Sequence, residues 1–370
     1  MAPNIAATLA DPTQFRAQFP VLERSSYLNA GTEGPLPRAA ADAVRERIDL
    51  EVTQGRCGKP YFESLMDLAG RLRTGYARVL GTEPENVALT GSTTDGVNTV
   101  LAGLDLRGGD QVITSDEEHP GLLAPLARLR RERGIEVKVV PFAEVAEAVT
   151  PRTRLVAVSH VSWVSGRVID HAALRQTGVP FLLDAAQGIG AVPLDMGELG
   201  CAYYAGSGQK WLCGPEGSGA LYVHPDHLED LSVPWPGYAS LADSHDALNS
   251  PPAETAKRFD HGFPPGMRSA WALASLEVLE GAGWEWVHCR AAGLAADLAE
   301  QLAQRGLVVW PRGRSTLVGW EAADADAEVA RLAEARFVVR SIPTHGLVRA
   351  SVGAWSSEEE LAELARLAAA

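Results

Sequence analysis

One lysine of this chain lies in surroundings that favour a reactive amine. Lys210 follows Ala205-Gly206-Ser207-Gly208-Gln209 and precedes an apolar stretch, with no acidic residue within five positions on either side. A lysine that lacks polar and acidic neighbours tends toward a lowered pKa, and its neutral amine can attack a carbonyl carbon. A surface lysine in a glycine-rich loop is the alternative interpretation when this segment is considered alone.

Asp184 is a second residue with a chemical use. It follows the apolar run Phe181-Leu182-Leu183, so we expect it at the carboxyl end of a buried strand, where open α/β sheets bind ligands. A carboxylate at that place can pair with the protonated ring nitrogen of a cofactor. A helix-capping aspartate is an equally good interpretation of this segment by itself.

A third segment, Thr90-Gly91-Ser92-Thr93-Thr94-Asp95-Gly96, lies between an apolar run and a helical pattern. Small residues let an anion approach the backbone, and hydroxyls with free N–H groups at a helix N-terminus can bind a phosphate. The segment lacks the lysine-containing end of a P-loop and the glycine spacing of a dinucleotide fold. A capped helix start without a ligand is the alternative interpretation.

The three segments together fit one cofactor. A phosphate cradle, an acid for a ring nitrogen and an amine that can form a Schiff base follow one another along the chain at strand–helix junctions. Pyridoxal 5′-phosphate (PLP) carries a phosphate, a pyridine nitrogen and an aldehyde, and it acts as an electron sink in amino acid chemistry. We therefore predict that the chain binds PLP and that Lys210 holds it as a Schiff base.

The elements that must position these residues alternate between short apolar runs and helical patterns. We predict strands at 87–90, 111–114, 136–140, 155–158, 181–183, 202–205 and 220–223. Helices are predicted at 95–104 and 120–133. Such alternation is typical of a largely parallel sheet with both faces covered by helices.

The remainder of the chain has a different pattern. Residues 232–261 are rich in Pro, Ser and Asp and indicate an irregular segment, either at a domain boundary or beside an active site. Helices are predicted beyond it at 268–279 and 284–305, and a last helix is predicted after Ser356-Ser357, whose hydroxyls suit an N-cap. Short strands are predicted at 307–310, 317–320, 337–339 and 347–351. This mixture indicates a smaller α+β domain.

Composition limits the function classes. The chain of 370 residues has a net charge of −14, which disfavours nucleic acids and other polyanions as partners. Its four scattered cysteines predict free thiols in a reducing compartment. Residues 1–19 lack the pattern of a signal peptide and no apolar run suits a membrane helix, so we expect a cytoplasmic protein. His224 and His227 have the spacing of metal ligands but no third ligand nearby, so no metal site is expected.

These residues and motifs resemble the class V aminotransferase family of fold type I PLP enzymes, which includes cysteine desulfurases, isopenicillin N epimerase and cystine C–S lyase. The resemblance runs from Tyr27 to about Leu367. It implies an α/β fold in which a large domain, residues 26–250, binds PLP on a mainly parallel seven-stranded sheet. It also implies a smaller α+β domain at 251–370, an N-terminal segment at 1–25 that packs with it, and a homodimer.

The resemblance further implies roles for individual residues. The cofactor-binding residues would be Ser92, Thr93, Thr94, His119, Asp184, Gln187, Ser207, Gln209 and Lys210. Lys210, His119 and Asp184 would be catalytic, with His119 stacked on the cofactor ring and Asp184 on its nitrogen. Gln187 would reach the phenolic oxygen. Gln209 stands where most desulfurases carry histidine, which weakens any acid–base role for this position.

The resemblance also implies which residues contact the substrate. Arg349 would bind the substrate α-carboxylate in a bidentate manner, and Asn29 and Trp163 would lie beside the substrate. Phe263 stands where many relatives have a small hydroxyl residue that reaches the phosphate of the neighbouring subunit, so that contact is not expected here.

Several reactions begin with loss of the substrate Cα proton to Lys210, namely transamination, epimerisation, β-elimination and desulfuration. Desulfurases carry a nucleophilic cysteine shortly before the substrate arginine, and residues 336–346 contain none. The stretches 115–121, 159–163 and 203–205 are most similar to cystine C–S lyase. We predict β-elimination on cystine or another S-substituted cysteine, giving pyruvate, ammonia and a thiol or persulfide. An aminotransferase, an epimerase and a non-catalytic protein that kept the fold are the alternatives.

Overall fold

A seven-stranded sheet forms the centre of the molecule in this computed structural model, which describes residues 9–263 and 265–370. Its strand order is β2-β8-β7-β6-β5-β3-β4. The strands are β2 (Val87–Thr90), β3 (Gln111–Ser115), β4 (Glu136–Val140), β5 (Thr153–Ser159), β6 (Phe181–Asp184), β7 (Tyr203–Ser207) and β8 (Gly219–Val223). Only β8 runs against its neighbours β2 and β7. The predicted α/β class with a mainly parallel seven-stranded sheet is confirmed.

The sheet is covered on both faces because successive side chains of its strands point in opposite directions. On β6, Phe181 and Leu183 pack into one apolar core, and Leu182 packs into the other. The first core is completed by helices α3 (Gly58–Leu80) and α8 (Gly266–Ala282). The second core is completed by α4 (Thr93–Gly103) and α5 (Pro120–Arg133). Strands buried on both faces explain the continuous apolar runs of the sequence.

A second, smaller sheet has the order β11-β12-β9 and is antiparallel. It consists of β9 (Leu317–Glu321), β11 (Arg340–Ile342) and β12 (Leu347–Ser351). The helices α9 (Trp284–Gln304), α10 (Ala325–Glu334) and α11 (Glu358–Ala368) accompany it. Its apolar core surrounds Trp320, which is fully buried. The division of the chain into domains at 25/26 and 250/251 stays a prediction.

The remaining elements are short or lie at the edges of the fold. They are α1 (Pro12–Arg16), α2 (Arg38–Gln54), α6 (His171–Gln176), α7 (Met196–Leu199), β1 (Ser26–Tyr27) and β10 (Phe337–Val338). Strands β1 and β10 pair in parallel. Arg16 of α1 donates to the carbonyl of Trp355 at 2.7 Å and to Glu360 of α11 at 2.8 Å. The segment that precedes the large sheet is therefore held against the last helix.

One predicted element is wrong, and five elements were not predicted, namely α6, α7, α10, β1 and β11. Residues 307–310 form no strand of their own; Val309 makes a single bridge to Trp320. Pro311 follows directly and has no N–H group to continue a ladder. Helix α10 was not expected. None of the helices in the described ranges is both long enough and apolar enough to cross a membrane.

Candidate active site

A cavity of about 240 Å³ opens where the carboxyl ends of the large sheet meet the smaller sheet. It is lined by Gly31, Thr32, Ser92, Thr93, Thr94, His119, Ser159, Val161, Trp163, Asp184, Ala186, Gln187, Ser207, Gln209, Lys210 and Arg340. All of the cofactor-binding residues predicted from the sequence are in this set. The carboxyl ends of parallel strands share one edge of a sheet, and this explains why segments far apart in sequence converge here.

The start of α4 forms one end of the cavity. Ser92 is the N-cap of this helix, and its hydroxyl accepts from the N–H of Asp95 at 3.1 Å. Asp95 accepts in turn from the N–H of Gly91 at 2.7 Å. This capped turn leaves the positive end of the helix dipole directed at the cavity.

Two buried polar atoms at this end have no hydrogen-bond partner among the described residues. They are the hydroxyl oxygen of Thr93 and the side-chain oxygen of Gln209. A buried polar group without a partner is costly, so both atoms are expected to meet a ligand. Ser207 at the end of β7 and Thr94 add two further hydroxyls. The three hydroxyls can donate hydrogen bonds to a phosphate group, whereas the Gln209 oxygen only accepts and requires a donor.

Lys210 and Asp184 lie on the wall beyond the phosphate end. Burial lowers the pKa of the Lys210 ammonium to about 8, with the cations of Arg349 and Arg340 acting in the same direction and the Asp184 carboxylate opposing them. Burial raises the pKa of Asp184, although the N–H of Ala186, which donates to it at 3.0 Å, and the charge of Lys210 oppose that shift. A buried acid and a readily neutralised amine thus face one cavity, as the sequence predicted for the pKa of Lys210.

His119 and Trp163 lie together on the cavity wall. Their rings meet edge to face, with centroids 5.3 Å apart and an interplanar angle of 85°. The Nδ1 atom of His119 accepts from the N–H of Gly121 at 3.0 Å, so the neutral ring carries its proton on Nε2. Burial and the nearby cations of Lys210, Arg340 and Arg349 lower the pKa of His119. The ring is consequently neutral near pH 7.

Gln187 lies on the wall with both ends of its amide engaged. Its Nε2 atom donates to the carbonyl of Gly31 at 2.7 Å, and its Oε1 atom accepts from the indole of Trp211 at 2.9 Å. The second N–H of the amide is the group that remains for a ligand oxygen. Gln187 lines the cavity, and its contact with the phenolic oxygen stays a prediction.

The three predicted substrate residues are placed differently. Trp163 lines the cavity, whereas Arg349 and Asn29 do not. Arg349 is fully buried, and its Nη1 atom donates to the carbonyl of Trp163. Its Nε and Nη2 atoms have no partner among the described residues. Asn29 lies further back, where its side chain accepts from the hydroxyl of Thr32 at 2.9 Å.

A second arginine was missed by the sequence reasoning. Arg340 on β11 lines the cavity, its guanidinium lies 5.7 Å from the centre of the Trp163 ring, and it donates to the Thr32 hydroxyl at 3.2 Å. Among the described residues, no carboxylate forms an ion pair with Arg340 or Arg349. The available signal was the alternation of Arg340 with Ile342 in a short strand-like stretch.

The acidic residues before His119 were also missed. Glu117 and Glu118 each accept hydrogen bonds from two serine hydroxyls below the cavity. Their only sequence signal was the run of two glutamates beside a predicted ring-stacking histidine. The cysteines lie elsewhere: Cys57, Cys201, Cys213 and Cys289 all belong to the described part of the chain, and none lines the cavity.

Comparison with known proteins adds an independent line of observation. Residues 27–364 match the family described as Aminotransferase class-V. The chain is 32% identical over 259 residues to isopenicillin N epimerase of Streptomyces clavuligerus, covering 65% of this chain and 62% of the epimerase. It is 30% identical over 247 residues to cysteine desulfurase CsdA of Escherichia coli K12, covering 61% of each chain. The matched stretches thus span less than two thirds of these relatives.

Solved structures extend the similarity to nearly the whole chain. A complex of the cystine C–S lyase C-DES with its reaction product cysteine persulfide superposes with a TM-score of 0.89 at 29% identity. This match covers 95% of the present chain and 99% of C-DES. A C-DES mutant with glycine covalently linked to its PLP cofactor gives a TM-score of 0.90 at the same identity, covering 95% and 98% of the two chains.

Proposed function

The chain belongs to the class-V aminotransferase family and uses PLP, and we propose that it is a C–S lyase that removes sulfur from Cβ of cystine or a related S-substituted cysteine. Bound PLP supplies an aldehyde that captures the substrate amine and a ring that accepts the electron pair left at Cα. The hydroxyls of Thr93, Thr94 and Ser207, which line the cavity and can donate hydrogen bonds, suit its phosphate. Asp184 suits its ring nitrogen.

Lys210 supplies the proton chemistry of the proposed reaction. With a pKa near 8, about a tenth of its amine is neutral at pH 7, against well under a thousandth for an ordinary lysine. The neutral Nζ atom can take the Cα proton of the substrate and hold it beside the same face. His119 stays neutral near pH 7 and offers Nε2–H as a donor in the same cavity.

The observation that carries the proposed substrate class is a pair of arginines at one end of the site, Arg340 in the cavity wall and Arg349 behind it. Arg340 and Arg349 both contact Trp163, and neither has a carboxylate partner among the described residues. Arg349 is fully buried and Arg340 is partly buried, so both lack part of the hydration that would stabilise a cation without a counter-charge. Guanidinium groups bind carboxylates through two parallel hydrogen bonds. Cystine carries one α-carboxylate at each end, so two guanidiniums suit it better than one would.

The proposed elimination balances as follows. The proton leaves Cα for Lys210 Nζ, the Cβ–S bond breaks, and its electron pair departs with the sulfur as cysteine persulfide. The remaining three-carbon fragment is hydrolysed to pyruvate and ammonia. No protein thiol is needed, which agrees with the position of Cys213, the cysteine nearest to Lys210 in sequence: it is buried, and burial raises its pKa.

The test is release of pyruvate and ammonia from L-cystine by the PLP-loaded enzyme, with Lys210→Ala as the inactive control. Arg340→Gln is expected to lower kcat/KM for cystine by about tenfold or more, because a charged hydrogen bond is worth about 1.5–3 kcal/mol. The same variant is expected to change kcat/KM for S-methylcysteine, which has one carboxylate, much less. Absence of pyruvate above the Lys210→Ala control would remove this function.

The alternative functions within the family are transamination and epimerisation. The similarity to isopenicillin N epimerases supports the second. Transamination consumes a keto acid and releases no ammonia. Epimerisation exchanges the Cα proton with solvent and leaves the Cβ–S bond intact. If cystine gives no pyruvate, keto-acid dependence and Cα deuterium exchange in a panel of amino acids decide between the two.

We also propose that two copies of the chain associate. The apolar side chains of Phe62, Met66, Tyr238 and Phe263 are exposed and line a groove of about 690 Å³. Their rings are close, with centroids 5.2 Å apart for Tyr238 and Phe263 and 6.1 Å apart for Phe62 and Phe263. Contiguous exposed apolar surface of this kind favours burial against a partner. We refer to these four residues as the aromatic patch.

We propose a cytoplasmic location. Cys57 and Cys289 are exposed, and neither forms a disulfide in the described structure. Exposed free thiols persist most readily in a reducing compartment.

A further inference from the structure

Two consecutive glutamates precede His119, and they point to different parts of the site. Glu118 is buried, and its carboxylate accepts from the hydroxyl of Ser115 at 2.5 Å and from the hydroxyl of Ser159 at 2.6 Å. It also accepts from the N–H of Ser159 at 2.9 Å and 3.0 Å. Ser115 ends β3 and Ser159 ends β5, so Glu118 ties together two neighbouring strand ends under the cavity.

The strand ends that Glu118 joins lie next to the group expected to meet the cofactor ring. Ser159 is the register partner of Asp184 on the adjacent β6, and the N–H of His160 donates to the carbonyl of Asp184 at 2.8 Å. His119, which lines the cavity, follows Glu118 directly in the chain. A change at the Glu118 carboxylate is therefore transmitted to the floor of the cavity on which the cofactor would lie.

Glu117 points to the turn that carries Trp163. Its Oε2 atom accepts from the hydroxyls of both Ser162 and Ser165. The Ser162 hydroxyl also accepts from the N–H of Val164 at 3.2 Å and from that of Ser165 at 3.1 Å. The Glu117 carboxylate and these backbone contacts therefore hold the turn in one conformation. Trp163 lies within it and contacts both unpaired guanidiniums of the substrate end.

We propose that these adjacent glutamates are positioning residues with separate tasks: Glu118 fixes the cofactor floor, and Glu117 fixes the Trp163 wall against which the substrate carboxylate is bound. Neither carboxylate touches the cavity itself: Glu118 reaches it through Ser159, and Glu117 reaches it through the turn that carries Trp163. The inference rests on the proposed placement of cofactor and substrate, but not on which reaction follows. Its readouts are accordingly binding constants, so failure of the cystine assay leaves it standing.

If the two glutamates have separate tasks, their isosteric glutamine variants should each change a different binding constant. In Glu118→Gln, an amide N–H replaces one acceptor and faces the donors of Ser159. We expect the dissociation constant of PLP from this variant to rise about tenfold or more. Mutating a residue that orients a ligand-binding group through a hydrogen bond lowers affinity by about this factor in metal sites. The visible circular dichroism of the bound cofactor is expected to change as well, because it reports the orientation of the ring.

Titration of the PLP-loaded variants with glycine tests the Trp163 wall, because glycine has an α-carboxylate and no side chain. In Glu117→Gln, the apparent dissociation constant of glycine is expected to rise about tenfold, by the same comparison with second-layer partners. Its PLP dissociation constant is expected to stay within about twofold of the wild type, the range of ordinary surface substitutions. Each variant is therefore the control for the other.

Variants that remove a single hydrogen bond test the same contacts with less risk of unfolding the protein. Ser115→Ala removes one donor from Glu118, and Ser165→Ala removes one donor from Glu117; both are expected to follow their glutamate in direction with a smaller effect. Melting temperatures of the apoproteins identify unfolded variants. The proposal is overturned if folded variants at positions 117 and 118 raise the same constant, or if Glu118→Gln keeps both its PLP affinity and its circular dichroism unchanged.

Discussion

The protonation state of one amine governs the chemistry at the scale of single residues. Lys210 must be neutral to capture an aldehyde, and burial beside Arg340 and Arg349 lowers its pKa to about 8 despite the attraction of Asp184. The neutral fraction of such an amine rises about tenfold between pH 7 and pH 9 and then levels off. An ordinary lysine with a pKa of about 10.4 gains about a hundredfold over this interval and continues to gain.

We therefore predict that capture of PLP by the apoprotein accelerates about tenfold from pH 7 to pH 9 and is nearly constant above that. Stopped-flow absorbance of the lysine-bound cofactor measures the rate. A simple lysine derivative mixed with PLP under the same conditions corrects for the titration of PLP itself. A rate that keeps rising about a hundredfold would mean that Lys210 has an ordinary pKa.

The residues of the site differ in how visible they are in the sequence. Lys210 and Asp184 were recognisable because each lies next to the glycines or the apolar strand that gives it its environment. Arg340 was not, because its neighbours Trp163 and Thr32 are distant in sequence and only the packing of the two sheets joins them. Glu118 was hidden for the same reason: Ser159, its main partner, lies 41 positions away.

At the scale of elements, the phosphate end depends on how closely α4 approaches the sheet. Gly96 faces β7, and a Cβ atom at this position would lie 2.9 Å from the Cβ of Ala205. Real Cβ atoms do not approach this closely, so any larger residue must push the helix away. The hydroxyls of Ser92, Thr93 and Thr94 would move with it.

Gly96→Ala is accordingly expected to weaken PLP binding by about tenfold, since overpacking costs typically about 1–3 kcal/mol. Gly293→Ala is the matched control: it lies in the interior of α9, and its added methyl group meets nothing within 4 Å. It should raise stability by up to about 1 kcal/mol through helix propensity alone. Equilibrium dialysis of PLP and urea unfolding of the apoproteins separate the two effects. Equal PLP affinity in Gly96→Ala and wild type would contradict the argument.

The local sequence pattern predicted most helices and strands. It failed for some elements whose formation depends on tertiary contacts. Helix α5 and strand β4 begin and end at the predicted residues, because Gly134 ends the helix in a left-handed conformation that the sequence signals. The expected N-cap at Ser357 is present as a capping box with Glu360. Residues 307–310 have a strand-like composition but form one bridge only. Helix α10 was not predicted, although Ala325, Val329 and Leu332 recur at helical spacing and pack into or against the smaller core.

At the scale of the whole molecule, charge is distributed unevenly. The chain carries a net charge of −14, yet the cavity and the layer behind it contain Lys210, Arg340 and Arg349 with Asp184 as the counter-charge. A local cationic site in an acidic molecule concentrates small anions at one place and repels them elsewhere. This arrangement suits a phosphate-bearing cofactor and a substrate with two carboxylates.

The aromatic patch also acts at this scale, because it is joined to the site through the chain that follows it. His261 lies 3.5 Å from Asp95, which caps the turn at the start of α4, and Phe263 of the patch is two residues further along. Covering the patch with a second copy would therefore hold the segment that borders the phosphate end. Association and cofactor retention are expected to change together.

We predict that the wild type is a dimer at micromolar concentration and that Phe62→Asp with Phe263→Asp yields a monomer with faster loss of PLP, because a dimer would have to bury both new charges. Val308→Asp is the matched control, since Val308 is 56% exposed and not part of the patch. Light scattering after size exclusion gives the mass, and the visible absorbance after dilution gives PLP loss. A monomeric wild type, or a double variant that stays dimeric, would mean that the patch does not hold two copies together.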